Sequence, residues 1–452
     1  MELPPLLLDR AAARPLAVQL AEGLRAATAD GTLRAGDRLP STRALAAALG
    51  VSRTVTAAAY EQLLAEGWVQ GRRGAGTFVV DAPGRVVAAP GPPPRRAPAP
   101  ALIDLSAGRP CVAALDRAAW RRAWRAAADP PADQEPDPVG VPAFRAAVVE
   151  HLLRHRGLPA DPADLLATAG STGAIAELAR TLPAGSRVAA EEPGYQRAVA
   201  ALRAAGLTVV PVPVDGEGLV VDALPAGLAA VYCTPAHQYP LGARLSAARR
   251  VALVERARAD GFWVMEDDYD GEMRYDVAPL PLLAALGRDV VVHLGTCSKL
   301  LTPTLGAGWM VAPPGVRRAV LDQRERTGLR PPPAGQRVFA GLAAHGDLSR
   351  HVRRLRRELA ARRQAAVAAV TGAGHRPIGD AAGAHVVVRL ADGRAERAVR
   401  EAAAARGVAL DGLARHHVHR PGVAGVVLGY AGPSGPDLDR ALAVVGEVLS
   451  GR

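Results

Sequence analysis

The first part of the chain carries hydrophobic residues at helical spacing. Leu16, Leu20 and Leu24 recur every fourth residue, which predicts a helix over residues 15–29. Two serines are suited to cap further helices at 42–49 and 53–66, and two short strands are expected at 68–69 and 77–79. Three helices followed by a hairpin with an arginine-rich tip are typical of a winged helix-turn-helix.

The longer second part alternates short apolar segments with helical ones. We predict strands at 187–190, 209–214, 229–233, 262–265, 290–294 and 307–312, with helices at 174–181, 196–205 and 247–259 between them. This alternation indicates an α/β fold with a mostly parallel sheet, which binds ligands beyond the carboxyl ends of its strands. Helices at 350–370 and 394–406 with strands at 386–390 and 426–428 predict a smaller α+β domain.

A proline-rich segment separates the two parts. Residues 82–101 contain repeated Pro, Ala and Arg, and proline fixes φ and removes N–H donors, so a semi-rigid linker is expected. The predicted domains are therefore residues 1–81 and 102–452. The second domain would divide into a large part, about 140–330, and a small part, about 331–452.

Composition narrows the compartment and the partners. No apolar run reaches the roughly 18 residues of a spanning helix, and the three cysteines are scattered, so a soluble cytoplasmic protein is expected. The net charge of +11 favours an anionic partner, with nucleic acid the first candidate, although arginine is spread along the whole chain.

Lys299 is the only lysine among the 55 basic Lys and Arg residues of the chain. Arginine stays protonated and is no nucleophile, whereas a lysine amine can condense with a carbonyl group. The single lysine is therefore a candidate for such a reaction, with a chance survivor of arginine-rich codon usage as the alternative.

The first domain carries polar and basic residues where a winged helix meets DNA. The third helix of this fold enters the major groove with its N-terminus, which brings Ser52, Arg53 and Thr54 to base edges and phosphates. Arg72 and Arg73 at the hairpin tip would reach the minor groove or the backbone. A three-helix module that binds protein is the alternative, but it would not need basic residues at both places.

Five segments of this domain, in order, resemble the DNA-binding domain of the GntR family: Arg34–Arg43, Leu49–Val55, Tyr60–Leu63, Gly67–Trp68 and Gly74–Val79. The resemblance covers essentially residues 15–80. It implies DNA contacts from Arg43, Ser52, Arg53, Thr54, Arg73 and Gly74.

The second domain meets the chemical demands of pyridoxal 5'-phosphate (PLP). The PLP aldehyde needs a lysine, the ring nitrogen a carboxylate, and the phosphate a helix N-terminus with hydroxyl groups. Lys299, Asp267 and Gly170–Thr172 supply these groups beside predicted strand ends and a helix start. Each signal alone has a simpler explanation, such as a solvated acidic turn, but together they predict a PLP site.

Four motifs of this domain look like the fold-type I aminotransferase domain of the MocR subfamily, in which it is fused to a GntR-type domain: Val188–Tyr195, Thr234–Gly242, Glu266–Asp270 and Leu294–Lys299. The resemblance covers about residues 102–452. It implies a PLP-dependent transcriptional regulator built as a multidomain chain.

The same resemblance assigns residues to the cofactor. Lys299 would bond covalently to the aldehyde, Asp267 would pair with the ring nitrogen, and Tyr269 would bond the 3'-oxygen. Tyr195 would stack on the ring, and Arg197 would bind a substrate carboxylate. The remaining cofactor-binding residues, most of them around the phosphate, are Gly170, Ser171, Thr172, His237, Thr296 and Ser298.

The chain departs from the family at two positions. Gly306 replaces an arginine that pairs with the cofactor phosphate, and Val427 replaces one that anchors an amino-acid carboxylate. The loss of a bidentate partner lowers affinity about 100-fold or more. PLP binding is still expected, whereas efficient transamination is not.

Other features suggest no further site. His416, His417 and His419 lack acidic or cysteine neighbours, so a solvated strand end is expected there and no metal site is predicted. The run Arg353–Arg357 is interpreted as the solvated face of a helix, with a second DNA contact as the alternative. Cys297 is expected to pack in the core.

We therefore expect a transcriptional regulator whose aminotransferase-like domain senses PLP or an amino-acid-type ligand. An active PLP-dependent aminotransferase with an autoregulatory DNA-binding domain is the first alternative. Another is a DNA-binding protein whose second domain has lost PLP and serves only dimerisation. Because one winged helix covers only a half-site, a homodimer is expected.

Arg53 and Arg73 should contribute differently to DNA binding. Arg53→Ala should cost about 1–3 kcal/mol on the operator and relax base preference at one position, because a helix N-terminus in the groove reads base edges. Arg73→Ala should weaken binding to all sequences and lower the salt slope by about one, because a hairpin tip contacts phosphates. Salt titrations on operator and scrambled DNA measure both effects, and equal losses on both DNAs for Arg53→Ala would contradict base reading.

Overall fold

We describe the structure from a computed structural model, which covers residues 6–72, 75–80, 102–131, 135–278, 280–419 and 422–451. The chain divides into two compact units, Met1–Pro98 and Ala99–Arg452. The predicted linker 82–101 lies outside the described residues, as do Arg73 and Gly74. Within the described ranges, no helix is long and apolar enough to cross a membrane.

The first unit contains the three predicted helices and a small sheet. Its elements are α1 (Leu16–Ala29), β1 (Arg38–Leu39), α2 (Thr42–Leu49), α3 (Arg53–Ala65), β2 (Val69–Arg72) and β3 (Gly76–Val79). The two predicted strands form the hairpin β2–β3, and β1 pairs with β3 on its other side. The pattern did not predict β1 because two residues are too short to show a period.

Both predicted caps are present. Ser41 Oγ accepts from Ala44 N at 3.2 Å, and Ser52 Oγ accepts from Val55 N at 3.4 Å, so each serine satisfies an N–H that the helix cannot pair internally. Leu20 and Leu24 of α1 are buried against α3, as their spacing predicted. The helical core therefore follows directly from local sequence.

The second unit is built around a mixed sheet. Its described strands are β4 (Ile103–Asp104), β5 (Leu165–Thr168), β6 (Arg187–Glu192), β7 (Thr208–Asp215), β8 (Gly218–Leu219), β9 (Ala230–Cys233), β10 (Trp263–Asp268), β11 (Val291–Thr296), β12 (Gly308–Val311), β13 (Pro377–Ile378), β14 (His385–Arg389), β15 (Val408–Ala409), β16 (Asp411–Gly412) and β17 (Gly425–Gly429). The main sheet has the order β5-β12-β11-β10-β9-β6-β7-β8, and its strands from β11 to β7 run parallel. A smaller antiparallel sheet, β13-β14-β17-β16, follows in the C-terminal part. The predicted α/β architecture with a smaller α+β part is confirmed.

Helices cover the strands of this unit. They are α4 (Arg117–Ala127), α5 (Pro142–Arg156), α6 (Ser171–Ala179), α7 (Gln196–Ala204), α8 (Ala247–Asp260), α9 (Cys297–Leu300), α10 (Pro314–Thr327), α11 (Pro333–Ala344), α12 (Asp347–Gly372), α13 (Gly393–Ala405) and α14 (Gly435–Leu449). Two hydrophobic cores form on opposite sides of the main sheet: Val264 of β10 packs in one and Met265 in the other. Alternation along β10 therefore places Glu266 and Asp268 on one face and Asp267 on the other.

The central strands extend further than the apolar pattern predicts. Asp267 and Thr296 were expected after their strands, but both lie within them, because β10 and β11 stay paired through Asp267–Leu294 and Asp268–Gly295. Backbone pairing is indifferent to side-chain polarity, so a strand can continue through the acidic residues of its functional end.

A buried ion pair connects α5 to the end of β10. Arg156 is 1% exposed, and its Nε and Nη2 donate to the two carboxylate oxygens of Asp268 at 2.7 Å each. Nη1 donates to the carbonyl of Leu280 at 2.8 Å. A Cβ at Gly271 would lie 2.2 Å from Asp268 Oδ1, so this position has space only for glycine.

Arg156→Met should destabilise the second unit by about 3–5 kcal/mol, because it leaves the Asp268 carboxylate buried without its partner. Arg258→Met is the matched control: Arg258 pairs with Asp289 on the surface, where solvent screens the pair, so its loss should leave stability nearly unchanged. Urea unfolding of both variants measures the difference. Equal effects would show that the buried pair does not hold α5 to the sheet.

Candidate cofactor and DNA-binding sites

A cavity of about 260 Å³ lies at the carboxyl ends of the central strands. Its lining includes all but one of the residues that the sequence assigned to the cofactor and substrate: Gly170, Ser171, Thr172, Tyr195, Arg197, Asp267, Tyr269, Thr296, Ser298 and Lys299. These residues come from segments up to 129 positions apart in the chain. The parallel sheet gathers them because its strands end at one edge.

Lys299 lies on α9, directly after β11, with its amine in the cavity. The ammonium Nζ donates to the carbonyl of Gly108, and a Cβ at Gly108 would lie 3.3 Å from Nζ. Burial lowers the pKa of Lys299. A larger fraction of the amine is therefore neutral and nucleophilic than in water.

Asp267 carries a carboxylate oxygen without a partner. Tyr232 Oη donates to Asp267 Oδ2 at 2.8 Å, whereas Oδ1 is buried and, among the described residues, has no hydrogen-bond partner. Burial raises the pKa of Asp267 to about 6. A cationic N–H donor in the cavity would satisfy Oδ1 and favour the ionised carboxylate.

Backbone donors and hydroxyl groups meet at the start of α6. Gly170, at φ +103°, precedes the helix, and Ser171 and Thr172 form its first turn rather than preceding it as expected. Thr296 Oγ1 donates to Ser298 Oγ at 3.0 Å on the facing segment. A helix N-terminus with hydroxyl groups beside it is suited to an anion such as phosphate.

Aromatic side chains form the walls between these two ends. Tyr195 Oη lies 3.1 Å from Thr172 Oγ1, and the rings of Tyr195 and Tyr239 meet edge to face at 5.8 Å. Tyr269 also faces the cavity and bonds His237 Nδ1 at 3.1 Å through its hydroxyl group. The walls between the Asp267 carboxylate and the start of α6 are therefore aromatic, which is suited to a flat ring.

His237 is the assigned residue that does not line the cavity. It is buried behind the wall, where Nδ1 lies 2.9 Å from Asp270 Oδ2 and 3.1 Å from the Tyr269 hydroxyl. The sequence placed His237 in a cofactor motif, but the turn after β9 directs its side chain away from the opening. Through hydrogen bonds, His237 reaches the cavity lining at Tyr269 and Asp270.

The structure shows the surroundings of Gly306 and Val427, the two positions that depart from the family. Gly306 adopts φ +55°, a left-handed conformation that an arginine would adopt only with strain. Val427 of β17 is fully buried and packs with Leu241, Val387 and Leu413. The position of the expected carboxylate anchor is thus part of an apolar core.

Several cavity residues were not assigned from the sequence: Tyr232, Thr234, Tyr239, Asp270, His385, Arg415 and His416. Tyr239 and Asp270 lie inside recognised motifs and could have been found there. The prediction that the histidine cluster is a solvated strand end is wrong for His416, which is 1% exposed. The small part of the unit folds back over the cavity, a long-range contact that local pattern does not encode.

Those assigned DNA contacts that the structure describes are exposed to solvent. Arg43, Ser52, Arg53 and Thr54 are exposed at the starts of α2 and α3. Arg72, on the hairpin, places its guanidinium 4.7 Å from the centre of the Phe78 ring. In the second unit, Arg353 and Arg357 are exposed on α12, as expected for a solvated face.

Two family models match the chain. "Bacterial regulatory proteins, gntR family" matches residues 16–79, and "Aminotransferase class I and II" matches residues 100–432. A pyridoxine biosynthesis transcriptional regulator, PdxR of Corynebacterium glutamicum, is 38% identical over 75% of this chain and 75% of its own. The probable rhizopine catabolism regulatory protein MocR of Rhizobium meliloti is 33% identical over 94% of this chain and 92% of its own.

Solved structures match the second unit. Kynurenine aminotransferase of Pyrococcus horikoshii, solved with PMP, aligns with a TM-score of 0.71 and 26% identity over 78% of this chain and 91% of its own. The α-aminoadipate aminotransferase LysN of Thermus thermophilus, complexed with N-(5'-phosphopyridoxyl)-L-leucine, aligns with a TM-score of 0.71 and 25% identity over 78% of this chain and 92% of its own. The second unit therefore has the fold of class I and II aminotransferases.

Asp267→Asn should remove a pH dependence from the stability of the cofactor-free protein. The folded-state pKa of about 6 lies above the ordinary 3.8, so the stability that the bound proton contributes is present at low pH and is lost as pH rises from about 4 to about 6. Relative to wild type, the variant should gain up to about 3 kcal/mol across that window. Thermal unfolding between about pH 4 and pH 8 measures it.

Glu191→Gln is the control for that experiment. Burial raises the pKa of Glu191 to about 7, so its window should extend about one pH unit higher than that of Asp267. A stability difference between Asp267→Asn and wild type that does not change with pH would contradict the raised pKa of Asp267.

Proposed function

The chain belongs to the MocR subfamily of GntR-type transcriptional regulators, and from this premise we propose that PLP bound in the second unit controls how the first unit binds DNA. A protein with a gntR-family domain and a class I and II aminotransferase domain, similar over most of its length to PdxR and MocR, is a DNA-binding transcriptional regulator. The cofactor and its control of DNA binding are the proposal.

The observation that carries the proposal is the buried Oδ1 of Asp267, which has no hydrogen-bond partner among the residues that the structure describes. A carboxylate oxygen at the floor of a cavity is unfavourable without a donor, and the protonated ring nitrogen of PLP is such a donor. The Lys299 amine and the N-terminus of α6 line the same cavity, where an aldehyde and a phosphate need them. The residues therefore fit the cofactor.

PLP supplies an aldehyde that amines attack and an electron-withdrawing ring. Lys299 would provide the attacking amine, whose pKa is lowered by burial. Asp267 would hold the proton on the ring nitrogen. Ser171 and Thr296 would orient the phosphate, and the Tyr195 ring would exclude water from one face of the cofactor.

An active aminotransferase is the second candidate, because Lys299, Asp267 and Tyr269 all line the cavity. Two observations disfavour it. Val427 is buried among apolar side chains where a carboxylate anchor is expected, and Gly306 offers the phosphate no side chain. Slow reaction of a substrate at the cofactor is compatible with a regulatory role. Efficient catalytic turnover, in contrast, requires that the protein holds the substrate in place.

The similarity to PdxR bears on the effector. PdxR of Corynebacterium glutamicum carries pyridoxine biosynthesis in its name and is 38% identical to this chain. We propose that PLP itself is an effector here, so that the regulator responds to the supply of the cofactor. Val427 packs in an apolar cluster, which disfavours β17 as the anchor of a substrate carboxylate.

We further propose a homodimer that acts in the cytoplasm. One winged helix covers a half-site, and two copies are needed for a pair of related half-sites. A regulator of transcription acts in the compartment that contains the DNA. The proposed partners are therefore double-stranded operator DNA, PLP or an amino-acid-type ligand, and a second copy of the chain.

Lys299→Ala should abolish covalent PLP capture and leave DNA binding insensitive to PLP. Purified full-length protein is incubated with PLP and reduced with borohydride, and retained absorbance is measured. DNA selected by the wild type from a random pool then reports affinity with and without PLP. Lys299→Arg is the matched control, because it keeps the positive charge but cannot bond the aldehyde.

With PLP, the wild-type protein should absorb at about 410–430 nm and its affinity for DNA should change. In both lysine variants, this absorbance should be missing and the affinity for DNA should stay the same. PLP trapped in Lys299→Ala would show that the site assignment is wrong. If the affinity of the wild type for DNA did not change with PLP, the proposed control of DNA binding would be contradicted.

A further inference from the structure

One wall of the cavity is not used by the proposed function. It is the short 3₁₀ turn Leu413–His416, which lies between β16 and β17 and contributes Arg415 and His416 to the lining. His416 belongs to the histidine cluster that was expected to be a solvated strand end, whereas Arg415 belongs to no motif identified from the sequence. The turn faces the same cavity as Lys299 and Asp267.

His416 is a buried polar group without a hydrogen bond. Its side chain is 1% exposed, and neither ring nitrogen has a hydrogen-bond partner among the described residues. Nε2 lies 3.4 Å from Asp411 Oδ2, within ion-pair distance but without hydrogen-bond geometry, and the ring packs edge to face on Tyr239 at 5.1 Å. A buried imidazole in this state is suited to bond a ligand that enters the cavity.

Asp411 holds the Arg415 guanidinium in position through two of its three nitrogens. Nε and Nη2 donate to the two oxygens of the Asp411 carboxylate, whereas Nη1 has no partner in the described part of the chain. Asp411 is the cross-strand neighbour of Val427. The guanidinium is therefore anchored beside the strand position where the family carries its carboxylate-binding arginine.

The turn is attached to the loop that carries the aromatic wall of the cavity. The carbonyl of His416 accepts from Gly194 N at 2.8 Å and from Gln196 Nε2 at 2.7 Å. The Glu192 carboxylate accepts from Val418 N at 2.8 Å. These bonds fix the turn on the loop that flanks Tyr195, so a ligand bound to the turn is also held against the cofactor wall.

We propose that Arg415 and His416 form a subsite for the carboxylate of a small amino acid whose amino group is directed toward Lys299. A guanidinium with free N–H groups and a neighbouring imidazole recognise a carboxylate through charge-assisted hydrogen bonds. The cavity of about 260 Å³ has to contain cofactor and ligand together, which restricts the ligand to a small one. This inference rests on the proposed PLP site, because that site receives the amino group.

Paired ligands test the subsite directly. Full-length protein loaded with PLP is titrated calorimetrically with glycine, L-alanine and 4-aminobutyrate, and with methylamine, ethylamine and propylamine, which lack only the carboxylate. In wild type, at least one amino acid should bind about 100-fold more tightly than its matched amine. Arg415→Met should reduce that ratio about 10- to 100-fold.

Three further variants make the result specific. Arg415→Lys should lose part of the ratio, because it keeps a charge but not the planar fork. The double variant with Asp411→Asn and Arg415→Met removes both charges and therefore leaves no unpaired buried carboxylate. It can be measured instead if Arg415→Met alone folds poorly. Arg258→Met, in an ion pair with Asp289, should behave as wild type.

An unchanged ratio in Arg415→Met, or no preference of the wild type for any of the three amino acids over its amine, would overturn the subsite. PLP retention and PLP-dependent DNA binding are measured on wild type and Arg258→Met in parallel. Their failure would count against the proposed function instead, so the two failures are distinguishable.

Discussion

Three consecutive carboxylates at the end of β10 have to be accommodated inside the protein, and much of the second unit is arranged around them. Glu266, Asp267 and Asp268 are all nearly inaccessible to solvent. A buried carboxylate is stable only with hydrogen-bond donors or an opposite charge beside it. Because side chains alternate along the strand, Glu266 and Asp268 lie on one side of the sheet and Asp267 lies on the other. The carboxylates on the two sides are therefore stabilised by different groups.

Glu266 and Asp268 are satisfied by structure. Glu266 accepts from the backbone N–H groups of Leu283 and Ala284, and Asp268 is bonded by the Arg156 guanidinium. Asp267 is satisfied only in part, through Tyr232. Asp267 is the one of the three that faces the cavity, and its buried carboxylate is suited to hold a cationic cofactor. Stability and ligand binding are thus divided between neighbouring residues of one strand.

The scaffold of an aminotransferase serves regulation here with part of its substrate machinery changed. Val427 and Gly306 remove two cationic anchors, while the lysine, the aspartate and the helix N-terminus remain around the cavity. A regulator needs a ligand that binds and releases with supply, whereas a catalyst needs a substrate held for reaction. The turn that carries Arg415 offers a different route for recognition, from the small part of the unit rather than from β17.

Local sequence was enough to predict the division into two domains, the two helix caps, the order of most helices and strands along the chain, and ten of the 23 residues that line the cavity. These depend on local period, on capping chemistry and on motifs a few residues long, all of which are written in neighbouring positions. Tertiary structure alone decided that His237 lies behind the wall, that His416 is buried and that Arg415 stands beside Val427. Those placements depend on the small part folding over the sheet, where residues more than 200 positions apart, such as Glu192 and Val418, meet through hydrogen bonds. Such contacts follow from packing and from the need to satisfy buried polar groups, which no local pattern records.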